Sequence, residues 1–335
     1  MLILGGVYFF NQPQFGSKKY SGQRLQRVQQ SPQYKNGAFQ NKNFTPSFTN
    51  GYNFWKVLYS YLFVKFPRTR PDGPVPSVKT DLHAFDSSEN VLIWFGHSSY
   101  FIQLNGLRFL VDPVFSGNAS PISGSNKSFT GADIYTAEDI PAIDYLLITH
   151  DHYDHLDYST VKALKSKVDR VITGLGVGNH LERWGYEKDR IEELDWGESV
   201  VLSNNSVLYA APARHFSGRG FLRNKSLWLS FVLETGDYKM YLGGDSGYDT
   251  HFKEIGDQYG PFDLALLENG QYNKAWQAIH MFPEETWQAA QDLHARFFIA
   301  GHSGKFKMSM HEWDEPLNKI KDLSEGGDHI MLTPR

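Results

Sequence analysis

A layered α/β or α+β domain behind an N-terminal arm is the fold class that the sequence predicts, and three observations carry it. From Val91 onward, short apolar runs end in Gly, Asp or His and are separated by polar or helical stretches. From Asn11 to about Asn50, Gln, Asn, Ser and Lys dominate with few branched apolar residues, a composition that seldom builds its own core. Finally, 335 residues at 41% hydrophobic content suffice for one large domain or two smaller ones, each with a buried interior. We place the arm at residues 1–84 and the globular domain at 85–335.

The elements follow in chain order. Met1 to Phe10 is apolar but has half the roughly 20 residues a helix needs to cross a bilayer. It reads equally as the end of a longer anchor or as a segment packed on the domain. A short helix begins near Ser21, with Leu25 and Val28 on one face. Residues 52–66 (YNFWKVLYSYLFVKF) form a helix that is apolar nearly all round. That pattern favours packing on the domain or on a partner chain over contact with lipid, although Lys56, Lys65, Arg68 and Arg70 suit an anionic bilayer too. Strands are expected at Val91–Phe95, Tyr100–Leu104, Arg108–Val111, Tyr145–Thr149, Arg170–Thr173, Val207–Ala211, Trp228–Leu233, Met240–Leu242, Leu264–Leu267 and Phe297–Ala300. Helices fit Ser159–Ser166, Val177–Trp184 and Pro283–His294, the last opening on Pro283-Glu284-Glu285, a favourable first turn.

Composition narrows the chemistry. A net charge of −4 and a pI near 6.3 provide no global basic field for a nucleic-acid backbone, so nucleic acid is not an expected partner. With no Cys there is no disulfide framework, thiolate nucleophile or Cys-based zinc site, and any metal must be held by His and carboxylates.

The central signal is Ile148-Thr149-His150-Asp151-His152-Tyr153-Asp154-His155-Leu156-Asp157, directly after a buried-strand run. Residues two apart in extended chain point to one side, so His150 and His152 can meet one ion while Asp154 and His155 are offered to a second. Three more polar residues stand where apolar strands stop: His215, 60 residues after His155, then Asp245 after a further 30 and His302 after a further 57. Ligands from separate strand ends converge on one edge of a sheet in α/β folds.

The sequence resembles the metallo-β-lactamase superfamily, and within it the zinc phosphodiesterase branch that includes N-acylphosphatidylethanolamine phospholipase D and bacterial relatives. The shared text covers roughly residues 85 to 305. It includes Trp94-Phe95-Gly96-His97, Phe109-Leu110-Val111-Asp112-Pro113-Val114-Phe115-Ser116, Glu193-Leu194-Asp195-Trp196, Gly243-Gly244-Asp245-Ser246-Gly247-Tyr248 and Gly260-Pro261-Phe262-Asp263-Leu264-Ala265. The resemblance implies a four-layer αββα sandwich with a dinuclear zinc site at one edge, iron or manganese being able to occupy such sites as well. One ion would take His150, His152 and His215, the other Asp154, His155 and His302, and Asp245 would bridge them, with Asp154 and Asp245 also serving catalysis. Asp112 would support the metal loop from behind; a turn residue before Pro113 is its bland reading. His97, in a Gly-His-Ser-Ser turn, has a similar supporting role or is a hydrogen-bonded turn residue. His280 is a candidate proton donor or phosphate contact, or a loop histidine facing solvent.

The implied activity is hydrolysis of a phosphodiester, of phospholipid type, by a hydroxide shared between the ions. Lactone or other acyl hydrolysis on the same fold is the alternative, and a metal-binding module without turnover is a third reading. Implied partners are a small-molecule or phospholipid substrate and a membrane surface, the protein being cytoplasmic or membrane-associated through its N-terminal segment. Three positions depart from the branch's pattern near the expected substrate: Ser303 replaces a Trp, Glu268-Asn269-Gly270 replaces Pro-Ile-Gly, and Ile279 precedes His280. A carboxylate at Glu268 would repel phosphate unless paired.

Overall fold

Alternation of side chains along the strands decides the architecture. In a computed structural model, which describes residues 11–16, 19–220, 222–325 and 329–333, two sheets face each other. The first contains β3 (Val91–Trp94), β4 (Tyr100–Leu104), β5 (Leu107–Val111), β6 (Ile143–Ile148), β7 (Val168–Gly174) and β8 (Ile191–Leu194), in that spatial order. Its first three strands are antiparallel and β5 to β8 run parallel. The second contains β9 (Ser199–Val201), β10 (Val207–Ala211), β11 (Ser230–Thr235), β12 (Tyr238–Leu242), β13 (Phe262–Glu268), β14 (Ala295–Gly301) and β15 (Ile330–Met331), antiparallel from β9 to β12 and parallel from β12 to β15.

Because successive strand residues point to opposite faces, each strand supplies two cores. Tyr145 and Leu147 of β6 meet Met240, Leu242 and Leu266 between the sheets, whereas Leu146 and Ile148 point outward. The outward set of the first sheet is covered by α3 (Tyr158–Leu164) and α4 (Gly178–Arg183) through Val161, Leu164 and Leu181. On the second sheet, α5 (His251–Tyr259), α6 (Pro283–Asp292) and α7 (Glu315–Ser324) do the same through Phe252, Ile255, Ala289 and Ile320. The result is the expected αββα sandwich.

The expected strands recur with shifts of one or two residues, except that Trp228 and Leu229 precede β11. In the globular part, the sequence reading omitted β8, β9, β15, α5 and α7. The arm holds α1 (Gly22–Gln30), a two-residue hairpin of β1 (Tyr34–Lys35) with β2 (Ala38–Phe39), and α2 (Phe54–Phe63). Its apolar residues are buried against the globular part and not among themselves: Val28 and Phe39 pack on Leu175, Leu227 and Trp228. Arg24 ties α1 down through Glu193 at 2.6 Å and Glu182 at 2.8 Å. A further difference is α2, which forms near its expected limits but has no buried residue. Met1 to Phe10 lie outside the described residues.

Candidate metal centre

One side chain organises the loop that carries four of the seven expected ligands. Asp112, at the end of β5, is fully buried. Its Oδ1 accepts the Thr149 backbone N–H at 2.8 Å, and its Oδ2 accepts the Thr149 hydroxyl at 2.6 Å and His155 Nδ1 at 2.8 Å. That grip stops β6 at Ile148 and turns the chain. Leu156 then closes a turn on the His152 carbonyl at 2.8 Å, and the Asp157 side chain caps α3 by accepting from Thr160 N. His150, His152, Asp154 and His155 therefore occupy the short connection from a strand end to a helix start. His215, Asp245 and His302 arrive after β10, β12 and β14.

Close approach is built in at these strand ends. A Cβ on Gly301 would lie 2.0 Å from the Tyr100 hydroxyl. Asp112, His97 and His302 adopt left-handed φ of +40°, +55° and +57°. Such backbone is costly for non-glycine residues and concentrates at functional sites. His97 and His302 hold each other there: His302 N donates to the His97 carbonyl at 2.8 Å, and His97 N donates to the Ser303 carbonyl at 3.0 Å.

The seven residues converge as two groups of donors. In the first, His150 Nε2 lies 2.9 Å from His152 Nδ1, which is 3.2 Å from His215 Nε2; Asp245 Oδ2 lies 3.8 Å from His150 and 3.6 Å from His215. Bonds of about 2.0–2.1 Å put tetrahedral ligand atoms roughly 3.3 Å apart, which matches this spread. In the second, His155 Nε2 lies 3.4 Å from Asp154 Oδ2 and 3.2 Å from Asp245 Oδ1, and His302 Nδ1 is 3.0 Å from the same Asp245 oxygen. Asp245 thus offers one oxygen to each group. His97, Asp154, His155 and His302 also fall within one cluster whose candidate donor atoms lie within 4.8 Å of one another.

Three observations fit these groups to metal ions. His155 Nε2 and Asp245 Oδ1 are buried without a hydrogen bond among the described residues, and so is His302 Nε2, the Nδ1 of that ring lying 2.9 Å from the Ser98 hydroxyl; such an arrangement is otherwise costly. The far nitrogens of three rings are engaged: His155 Nδ1 by Asp112, His215 Nδ1 by the Ile279 carbonyl at 3.1 Å, and His150 Nδ1 by the Thr149 hydroxyl at 3.0 Å. This turns the Nε2 of each ring toward the other candidate donors, as metal-binding histidines require. Last, burial and neighbouring histidines hold His150 well below its ordinary pKa, and burial takes His152 down to about 4, so both present neutral imidazole, the ligand form. Burial would likewise depress His155, yet Asp245 and Asp154 hold it well above its ordinary value. A pocket with Asp112, Asp154 and Asp245 calls for cations.

The remaining expected residues fall around this centre. His97 is fully buried and its Nε2 meets Asp154 Oδ2 at 2.8 Å, so it braces a candidate ligand. His280 does not face bulk solvent: its ring stacks on His302 with centroids 5.2 Å apart, and its Nδ1 lies 2.9 Å from Glu268 Oε2. Glu268 is buried and also accepts the Met281 N–H, so its carboxyl is paired. Sequence reasoning missed Asn41. Its amide donates to the His215 carbonyl at 2.8 Å and accepts the His215 N–H at 3.0 Å, and its oxygen also accepts Trp228 Nε1 at 3.0 Å. Nothing in a polar Asn-Lys-Asn stretch marks it out. Asp151, between the first two histidines, was also passed over; it braces the loop through His180 at 3.2 Å, Ser226 at 2.8 Å and Gly218 N at 2.7 Å.

Comparison with known proteins decides the family. Residues 107–303 match the family described as "Beta-lactamase superfamily domain". The chain belongs to that superfamily. Relatives of this hydrolase include an uncharacterized protein of Mycobacterium tuberculosis, 38% identical over 309 residues, spanning 91% of this chain and 82% of the relative. They also include "N-acyl-phosphatidylethanolamine-hydrolyzing phospholipase D 1" of Caenorhabditis elegans, 31% identical over 253 residues, spanning 72% and 71%. Among solved structures, Igni18, a metallo hydrolase of the archaeon Ignicoccus hospitalis, superposes with a TM-score of 0.53 at 19% identity, over 72% of this chain and 94% of that one. That likeness supports the shared fold. The protein is thus a metal-dependent hydrolase of the metallo-β-lactamase fold with His and Asp clusters able to hold metal.

Proposed function

We propose that this hydrolase cleaves phosphodiesters, with a phospholipid as natural substrate and a membrane surface as the place it is met. The carrying observation is the paired donor set: Asp245 places Oδ2 beside His150 and His215 and Oδ1 beside His155 and His302, at the base of a cleft of about 540 Å³ that reaches the surface. His150, His152, Asp154, His155, His215, Asp245 and His302 would hold two ions, zinc being our assignment from imidazole and carboxylate donors without thiolate. Bound there, such a pair lowers the pKa of water toward about 7 and neutralises negative charge gathering on a phosphoryl group.

The rest is done by the chain. Phe48, Phe216, Trp276, Ile279 and Met308 give the cleft apolar walls suited to a lipid substrate, and Arg223 offers a cation to an anionic diester. Burial, with Asp245 nearby, raises the Glu268 carboxyl well above its ordinary range. A protonated Glu268 donates to His280 Nδ1 and leaves Nε2–H as the ring's proton donor, available to the leaving oxygen. The repulsion of phosphate expected from Glu268 is thereby removed.

The test compares head-group release from glycerophospholipids and p-nitrophenol release from a bis-ester phosphate with lactone opening under the same conditions. We expect diester cleavage that disappears in Asp245→Ala. Lactone turnover lost in the same variant, with no diester cleavage, would overturn the reading in favour of acyl chemistry.

A further inference from the structure

The apolar helix α2 is held out from the body of the protein at the lip of the catalytic cleft. Before it, Thr49 N donates to the Ala275 carbonyl at 2.8 Å, and Asn50 donates to the Lys274 carbonyl at 2.8 Å. Thr45 to Phe48 and Trp276, on either side of those bonds, line the cleft. After α2, Trp313 N donates to the Arg68 carbonyl at 2.9 Å, and Arg68 pairs with Glu312 at 3.0 Å and with Asp314. Met308, a few residues earlier, lines the cleft as well. Both attachments are therefore beside the cleft. Phe54 follows Asn50 by four residues, a reach of at most roughly 14 Å.

Between these anchors most of the apolar side chains face outward, Val57 and Leu58 being half-buried. Trp55 is 72% exposed, Phe63 70%, and Tyr59, Tyr61 and Leu62 each 62%. An apolar patch of this kind on a soluble surface marks a site of interaction. Ten residues are too few to cross a bilayer, and no described helix is long and apolar enough to do so.

Charge identifies the occupant. Residues 1–71 contain ten Lys and Arg and no Asp or Glu, leaving 23 basic against 37 acidic side chains for the rest. Some of these cations are spent within the fold, as Arg24, Arg27, Lys42 and Arg68 pair with acids of the globular part. Lys56 and Lys65, flanking the exposed apolar stretch, are in no ion pair among the described residues. Aromatic side chains beside unpaired cations, without an acid in the segment, match the headgroup layer of an anionic bilayer. In a symmetric pair of α2 helices, Lys56 and Lys65 would meet their own copies with no acid on the helix to balance them.

We propose that α2 is a docking helix for an anionic phospholipid surface, laid on that surface so that the cleft mouth opens toward it. This rests on the phosphodiesterase reading only for its purpose; docking itself is read without turnover. The experiment is co-sedimentation of the full chain with phosphatidylcholine vesicles with and without phosphatidylglycerol, at low and high salt, with sedimentation velocity of the lipid-free protein. Trp55→Ser with Phe63→Ser, and separately Lys56→Ser with Lys65→Ser, change exposed side chains only.

We expect binding to phosphatidylglycerol vesicles that weakens with salt and falls roughly 30-fold in the double lysine variant, about fivefold per charge. The apolar variant should cease to bind. Both should keep wild-type turnover of a water-soluble bis-ester while losing turnover of vesicle lipid. Equal binding by wild type and both variants, no binding by wild type, or a dimer that the apolar variant converts to monomer would each overturn the proposal. Vesicle binding with loss in the variants but no diester cleavage by wild type would leave docking standing and remove the phosphodiesterase reading.

Discussion

Asp112 touches three groups that the centre depends on, although it belongs to neither donor group. Asp112→Ala would leave the His155 Nδ1–H and both Thr149 donors buried without partners, and loss of such outer contacts weakens metal affinity about 10–100-fold. Competition against a chromophoric chelator should show that drop, with partial rescue in Asp112→Asn, which keeps an acceptor oxygen. An unchanged affinity in Asp112→Ala would remove its supporting role. A different residue sets a pH dependence. His251, buried beneath Ser246 at 3.1 Å, is pushed by burial down to about 4. The unfolded chain then binds a proton that the folded chain refuses. Its contribution is whole above pH 6.5 and is lost as pH falls toward 4, an effect on the order of 3 kcal/mol at most. The urea midpoint should fall across that window, and less so in His251→Gln; the same slope in both would exclude His251 as its source. At this scale the convergence of the seven candidate donors was legible because a metal site without Cys draws on His and carboxylate at strand ends. Asn41 and the pairing of Glu268 with His280 were not, since each depends on contacts between residues distant in sequence.

The elements divide by whether local pattern or tertiary contact decides them. Strands such as β4, β10 and β12 were legible because each is a short run rich in apolar residues bounded by turn residues, and β4 is buried along its whole length. β8 (IEEL) lacks that signature: two glutamates stand in a four-residue strand whose Glu193 is engaged by Arg24. The arm's helix was legible from Leu25 and Val28, but where it docks was not, because Val28 and Phe39 are buried against Trp228 and Leu175 from the globular part. α2 was expected to pack because it is apolar on every face, and sequence contains no information that its two anchors hold it outward. The arm's attachment predicts its own outcome. Asn41→Ala breaks both bonds to the His215 peptide, and we expect metal affinity to fall about tenfold, with the loss confined to one ion per chain. Two-step chelator titration reads this directly. Equal loss of both ions, or of neither, would contradict a specific clamp on His215.

Across the whole molecule, the donor set draws on both sheets. His150, His152, Asp154 and His155 follow β6 of the first sheet, whereas His215, Asp245 and His302 follow strands of the second. Ions bound by the native arrangement alone therefore add to the stability of the sandwich, by about 2.7 kcal/mol for each site at a hundred times its dissociation constant. Chelation should lower the unfolding midpoint and restored metal should raise it; a midpoint indifferent to metal would show that the centre does not link the sheets. The central claim, that seven side chains form one two-ion centre around a shared carboxylate, is tested most directly by metal content of purified wild type and Asp245→Ala. We predict about two ions per chain in the wild type and depletion of both sites in the variant, since Asp245 offers one oxygen to each group. Two ions retained by folded Asp245→Ala protein would contradict it.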